Sequence, residues 1–192
     1  MDVYKVLVLA CIGGIYAVSG LLLDTYNGGN ECVTRHEFMT VIAALNSSII
    51  KEKQRSNIAF VAELNQDIVN PSTGFHIIFD KVKLDIGGNY RANHGVFIAP
   101  YPGIYHFAVE LSSPPQSNDH DLHVRIMKKS EGVAITFLDD NTHQYLRRTA
   151  SIVLELDTGD DVWCLIDHAT GSNTIAYGYT SSMFSGFIIH PL

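Results

Sequence analysis

Apolar positions follow two different periods along this chain, and the change falls near residue 57. In segment 31–55, large apolar side chains recur at spacings of four, three and four residues, at Phe38, Ile42, Leu45 and Ile49. This spacing predicts a helix with one apolar seam, and isoleucine at the a positions permits more than two strands. Two heptads are marginal alone in water. The segment is therefore predicted either to associate with copies of itself or to pack on its own domain.

From residue 57 onward the period is two, which predicts strands with one buried face. The clearest apolar face is formed by Tyr105, Phe107, Val109 and Leu111. Similar runs, separated by Gly, Pro, Asn and Asp turns, cover 122–126, 133–137 and 152–156. Many short strands without helices between them indicate an all-β sandwich or barrel of antiparallel strands. The lack of a Cys-Trp-Cys framework disfavours the immunoglobulin topology.

Residues 1–19 have the features of an export signal peptide. Val6–Val18 is apolar, and small residues at Ala17-Val18-Ser19 precede a cut near Gly20. This apolar run is shorter than the roughly 20 residues that span a bilayer, which favours cleavage over a signal anchor. We predict a secreted protein with a linker and short coiled-coil stalk over residues 20–56 and one globular domain over residues 57–192.

Cysteine usage fits export but does not indicate a disulfide scaffold. Of the three cysteines, Cys11 lies within the predicted signal, so Cys32 and Cys164 remain. Cys164 lies within an apolar strand and is predicted to be a small buried side chain. Cys32 lies in a polar stretch ahead of the domain, where an interchain disulfide between copies is the preferred prediction. An intrachain bond to Cys164 is the alternative.

The charge and the motifs narrow the class of function. The formal net charge of the 192-residue chain is -7, which disfavours nucleic acid and anionic membranes as partners because both favour a basic surface. The sequence has no serine elbow, phosphate loop or dinucleotide fingerprint, so no enzyme is predicted. Asn46-Ser47-Ser48 is an acceptor triplet for N-glycosylation in a secreted chain.

A spaced set of aromatic, acidic and glycine positions lies between residues 79 and 107. It consists of Phe79, Asp85, Tyr90, Phe97, Gly103, Tyr105 and Phe107. This spacing resembles the signature of the globular head of complement C1q, with Val109 in place of its last aromatic residue. Three further segments resemble parts of that family. Asn57–Leu64 resembles its first strand, Gly159–Trp163 a late turn, and Phe184–Phe187 its closing strand. The resemblance therefore covers residues 57–192.

This resemblance implies a ten-stranded jelly roll, similar to the tumour-necrosis-factor fold, that assembles as a homotrimer. No Gly-x-y run precedes the head, so the chain is similar to the short secreted members without a collagen region. For these, the resemblance implies a lectin-like pattern-recognition protein of innate immunity that binds microbial surface glycans, with avidity from multivalency. Two alternatives stay open. One is a trimeric signalling ligand for a protein receptor, as in cerebellin-like and adiponectin-like members, and the other is a structural component of mucus or matrix.

The resemblance also suggests a calcium site in the loop after Thr136-Phe137-Leu138. Asp139, Asp140 and Gln144 supply oxygen donors that suit this cation, and an ordinary acidic turn is the alternative. Zinc at His120 and His123 is disfavoured, because a separation of three residues along a strand places two side chains on opposite faces.

Ligand contacts are predicted in loops outside the signature. The candidates are Tyr145, Arg147 and Arg148, and Tyr177 and Tyr179 are further aromatic residues that could stack on sugar faces. For Tyr177 and Tyr179, core or trimer contacts are the favoured interpretation over a glycan site.

Overall fold

The computed structural model describes residues 35–55, 57–115, 120–139, 144–171 and 175–192. The predicted signal peptide and Cys32 lie outside these residues, as does Asp140. The described residues contain one helix, α1, at Arg35–Arg55. They also contain strands β1 Ala59–Leu64, β2 Ile68–Val69, β3 His76–Ile77, β4 Lys81–Ile86, β5 Tyr90–Arg91, β6 Val96–Ile98, β7 Gly103–Ser113, β8 His120–Lys128, β9 Glu131–Phe137, β10 Leu146–Leu156, β11 Asp161–Gly171, β12 Ile175–Ala176 and β13 Tyr179–Pro191.

The strands form two antiparallel sheets that are not filled in sequence order. The first sheet has the order β10-β7-β13-β1-β4, and the second has the order β5-β6-β11-β8-β9 with β3 also paired to β11. A short ribbon joins β12 to β2. The strand order given for each sheet contains five strands. Chain neighbours such as β1 and β2 belong to different sheets, as in a jelly roll. The predicted ten-stranded antiparallel fold is confirmed.

The core forms where the period-two pattern turns apolar side chains inward from both sheets. Tyr105, Phe107, Val109 and Leu111 on β7 are all fully buried, as their alternation predicts. At the centre, the Phe60 ring stacks on Tyr90 at 4.6 Å and meets Phe184 edge-on at 5.1 Å between ring centroids. Offset-stacked and edge-on pairs of this kind add to the free energy gained from apolar burial.

The signature residues build the head rather than a binding site. The buried Tyr90 hydroxyl donates a hydrogen bond to the Phe79 carbonyl at 2.9 Å. The carboxylate of Asp85 accepts a hydrogen bond from the backbone N–H of Asn89 at 3.2 Å, which closes the turn between β4 and β5. At Gly103, an added Cβ would lie 2.9 Å from the carbonyl oxygen of His190, so no larger residue fits where β7 begins.

Asp160 has a buried carboxylate that forms ion pairs with lysine side chains. It lies in the tight turn between β10 and β11, and its side chain contacts the ammonium groups of Lys128 and Lys129. It also accepts a hydrogen bond from the backbone N–H of Asp157 at 3.2 Å. The hydrogen bond from Lys129 lowers the pKa of the Asp160 carboxyl from its ordinary value. The ionised carboxylate therefore ties its own turn to the end of β8.

We expect Asp160→Asn to lower the free energy of unfolding at pH 7 by about 1 to 3 kcal/mol, the range for losing hydrogen bonds to a charged group. Because folding lowers this pKa, the carboxylate stabilises the fold above the ordinary carboxyl pKa of about 4. That contribution is lost as the pH falls through the folded-state pKa. Urea unfolding at pH 7 and pH 3 checks this, with Asp161→Asn as the neighbouring control. If Asp160→Asn lowers the free energy of unfolding as much at pH 3 as at pH 7, this expectation is wrong.

Helix α1 confirms the helix predicted near residues 31–55. Most of its large apolar side chains are exposed, including Phe38, Leu45 and Ile49 of the predicted seam, whereas Ile42 is half-buried. Asn46 is exposed on the same helix, directly after Leu45 and three residues before Ile49. A glycan at Asn46 would therefore flank the seam. Association through this seam and glycosylation of Asn46 both stay predictions.

Cys164 is fully buried in β11, as predicted for a small apolar side chain, and it is a free thiol. Burial raises the pKa of this thiol, which suppresses the reactive thiolate. An intrachain bond to Cys32 would require the sandwich to open around Cys164. The structure therefore disfavours that alternative pairing.

Candidate functional site

The outward face of the first sheet carries large apolar side chains on several neighbouring strands. Directly paired residues of an antiparallel sheet share one face. One row across β4, β1, β13, β7 and β10 is made of Ile86, Ala59, Phe187, His106 and Val153. The adjacent row is made of Leu84, Val61, Ser185, Ala108 and Ser151. We call these two rows the apolar face.

Several large side chains of the apolar face are open to solvent in the single chain. Phe187 is 47% exposed and Val153 is 53% exposed, and both Ile86 and Leu84 are also exposed. His106 lies against Phe187, with 5.0 Å between their ring centroids. Contiguous exposed apolar surface of this kind marks an interaction site in a soluble protein.

Paired charges border the apolar face at one end. The next row of the register contains Glu63 and Glu110. The Glu63 carboxylate is nearly buried and lies 3.4 Å from the ammonium of Lys81 and 3.6 Å from that of Lys83. Glu110 forms an ion pair with Arg147. These compensated charges separate the apolar rows from the adjacent loops.

The predicted ligand residues lie at this charged border and next to it. Tyr145 is 68% exposed, and its ring centroid is 6.3 Å from that of Tyr177. Arg147 is engaged with Glu110, and the Arg148 guanidinium donates to the carbonyl of Arg147 at 3.1 Å. Tyr179 is exposed, with a positive φ of 57° at the start of β13. The structure thus groups Tyr145 with Tyr177, and a role of these residues in ligand binding stays a prediction.

Two of the three residues of the predicted calcium site, Asp139 and Gln144, lie in the described part of the chain. Asp139 follows β9, and its carboxylate lies 3.0 Å from Nε2 of His123. That contact occupies a carboxylate that calcium would need, and Gln144 is exposed at the far end of the loop. Calcium binding by Asp139, Asp140 and Gln144 therefore stays a prediction.

The two histidines of β8 lie on opposite faces, as predicted. His120 is buried with its Nε2 3.4 Å from the hydroxyl of Ser113, whereas His123 faces outward beside Phe137. Among the described residues, no group of three or more His, Cys, Asp or Glu side chains converges on a metal position. None of the helices in the described part of the chain is both long enough and apolar enough to cross a membrane.

The apolar face was not predicted from the sequence, although β13 carries a signal for it. In β13, apolar residues occupy both parities of the strand, at Phe184, Phe187, Ile188 and Ile189. A strand with one buried and one solvated face would alternate cleanly. Apolar residues on both parities therefore indicate a strand that is covered on both sides.

Comparison with known proteins agrees with this architecture. The C1q domain family model matches residues 59–189. The chain is 33% identical over 122 residues to mouse complement C1q tumor necrosis factor-related protein 2, and the match covers 62% of this chain and 40% of that protein. It is 34% identical over 126 residues to a rat protein of the complement C1q subcomponent, and the match covers 63% of this chain and 49% of that protein. The chain thus spans half or less of these relatives.

A solved structure is similar in fold. The globular domain of zebrafish complement 1qA superimposes with a TM-score of 0.56 at 21% identity, and the match covers 71% of this chain and 99% of that domain. The family match covers more than half of the chain and reaches every strand of both sheets. The chain belongs to the C1q-domain family.

Proposed function

We propose that this protein is a secreted, non-enzymatic homotrimer whose C1q-type heads bind glycans on microbial surfaces in innate immunity. The observation that supports this proposal most directly is the apolar face. It places Phe187, Ile86 and Val153 in water unless another surface covers them. Burial of apolar area releases about 25 cal/mol per Å², so covering this face favours association.

In a closed ring of identical copies, a different surface of each chain can cover the apolar face of its neighbour. Strands β9 and β10 end their sheets on the same side of the sandwich. Phe137 on β9 is exposed along that edge. If this edge packs on the apolar face of the next copy, two different surfaces meet, so the contact is heterologous. Such contacts close into a ring of three copies if each copy is rotated by about 120° relative to the one before. The trimer expected from the family resemblance has this symmetry.

The helical segment supports the same assembly. The exposed seam of Phe38, Leu45 and Ile49 on α1 would be covered if three helices associated in parallel. Short helices gain most of their stability from such packing. A disulfide through Cys32 would then link copies covalently ahead of the helix.

Three heads on one assembly give the proposed binding its strength. Individual glycan sites are weak, but a particle that displays many copies of a sugar engages several sites at once. The exposed Tyr145 beside Tyr177 offers aromatic faces, and Arg147 and Arg148 offer hydrogen-bond donors nearby. Aromatic rings with adjacent polar groups suit a ligand that is apolar on its faces and polar at its edges.

A microbial glycan array with the purified full-length secreted protein tests this function. We expect saturable binding that free sugar competes, and a loss of about tenfold or more in Tyr145→Ala with the trimer intact. Phe75→Ala, which changes an exposed aromatic residue elsewhere, is the matched control and should bind normally. A trimer that binds no glycan but binds a cell-surface protein tightly would favour the signalling-ligand alternative and contradict the proposal.

A further inference from the structure

Two histidines lie side by side on the outward face of the second sheet because of a β-bulge. His168 of β11 is the register partner of His123 of β8, and the ladder shifts between Ile166 and His168. Ile166 is fully buried. In a regular strand without this bulge, His168, two residues after Ile166, would have the parity of Ile166 and would face the core. Bulges re-aim side chains in this way next to functional sites.

The spacing of the two rings is that of ligands to one metal ion. The ring centroids of His123 and His168 are 4.9 Å apart, and the ring planes are inclined by 44°. Two imidazoles bound to one tetrahedral Zn²⁺ place their ring centroids about 5 Å apart. The inclination also leaves the rings clear of a face-to-face stack.

A carboxylate fixes one of these rings. Nε2 of His123 lies 3.0 Å from Oδ1 and 3.3 Å from Oδ2 of Asp139, and Phe137 packs edge-on against the same ring at 4.6 Å. A carboxylate on one nitrogen of a histidine orients the ring and leaves the other nitrogen for a metal. In His123 the nitrogen left by this contact is Nδ1.

The neighbouring charged side chains form ion pairs or hydrogen bonds with other residues. The Arg125 guanidinium pairs with Asp167 at 2.8 Å, and the Asp121 carboxylate accepts a hydrogen bond from the hydroxyl of Thr170 at 2.9 Å. These pairs flank the two histidines on β8 and β11. Among the described residues, the ligand set is therefore confined to the two imidazoles.

We propose that His123 and His168 bind a transition-metal ion of the zinc or copper class, with Asp139 as the residue that positions His123. Imidazole nitrogen is a preferred ligand of these metals, whereas calcium prefers oxygen. Two protein ligands leave the remaining coordination positions to water or to a donor group of a bound partner. The site lies on the second sheet, next to Phe137 on the edge proposed to contact the neighbouring copy.

Titration of the full-length secreted protein with zinc chloride, followed by calorimetry, tests the site. We expect about one zinc ion per protomer near pH 7.5 and no binding near pH 5, because imidazole must be neutral to bind a metal. His123→Gln and His168→Gln should each remove this binding event. Asp139→Asn should weaken it by about tenfold. Calcium chloride should not compete.

The exposed His94, on the turn between β5 and β6, gives the control variant His94→Gln, which should bind zinc as the parent does. Histidine side-chain NMR signals of the unmodified protein provide a second readout that does not depend on any variant folding. Zinc should shift the signals of His123 and His168 first. Unchanged stoichiometry in both His→Gln variants, or no zinc binding to the parent near neutral pH, would overturn the proposal.

Discussion

Phe187→Glu is expected to convert the proposed homotrimer into monomers in sedimentation velocity at micromolar concentration. Phe187 lies at the centre of the apolar face, 47% exposed in the single chain and in contact with His106. The change removes about 1.5 to 3 kcal/mol of apolar burial per interface. It also places a carboxylate without a partner in each contact, which costs several kcal/mol more. Three such interfaces close the ring, so association weakens by at least about a thousandfold.

Two variants control for this result. Phe187→Leu keeps an apolar side chain and should remain trimeric. Phe75→Glu introduces the same charge at an exposed aromatic residue outside the apolar face and should also remain trimeric. Phe187→Glu should keep the circular dichroism spectrum of the folded protein, because the side chain faces away from the core. A folded Phe187→Glu protein that is still a trimer would show that the apolar face is not the interface.

Phe60→Ala is expected to lower the free energy of unfolding by about 3 to 5 kcal/mol, the range for removing a buried phenylalanine. The ring is almost fully buried and lies within 5.4 Å of the Tyr90, Phe97 and Phe184 ring centroids. Gly186 also approaches it closely, because an added Cβ there would lie 2.7 Å from the Phe60 ring. A cavity at this position would touch both sheets.

Urea unfolding followed by tryptophan fluorescence and circular dichroism measures this loss. Parent and variant are compared at one protomer concentration, since assembly adds to apparent stability. Phe75→Ala, at an exposed ring, is the matched control and should change the free energy by less than about 1 kcal/mol. A comparably small loss for Phe60→Ala would contradict the central position of this ring in the core.

The sequence was sufficient for the fold because the strands of this head alternate strongly. The run from Tyr105 to Leu111 on β7 predicted both the strand and its buried face, and the burial of those residues agrees. The spacing from Phe79 to Phe107 added the family, which periodicity alone could not distinguish from other sandwiches. The same residues proved to be core and turn positions, so they carry no information about the ligand.

The sequence was insufficient where side chains meet through long-range register. His123 and His168 lie on different strands, far apart in the chain, and only the bulge after Ile166 brings them onto one face. The contact between His123 and Asp139 likewise depends on how β9 pairs with β8. A period-two pattern does not encode a bulge, because one extra residue inverts the parity of everything after it.

Sedimentation equilibrium of the purified protein, with and without reductant, is the most direct test of the proposed homotrimer. We expect a mass three times that of the protomer measured in denaturant, and part of the trimer should be covalent through Cys32 in the absence of reductant. Reductant should remove the covalent species and leave the trimer, because the apolar face does not depend on a disulfide. A monodisperse monomer at micromolar concentration in both conditions would contradict the account.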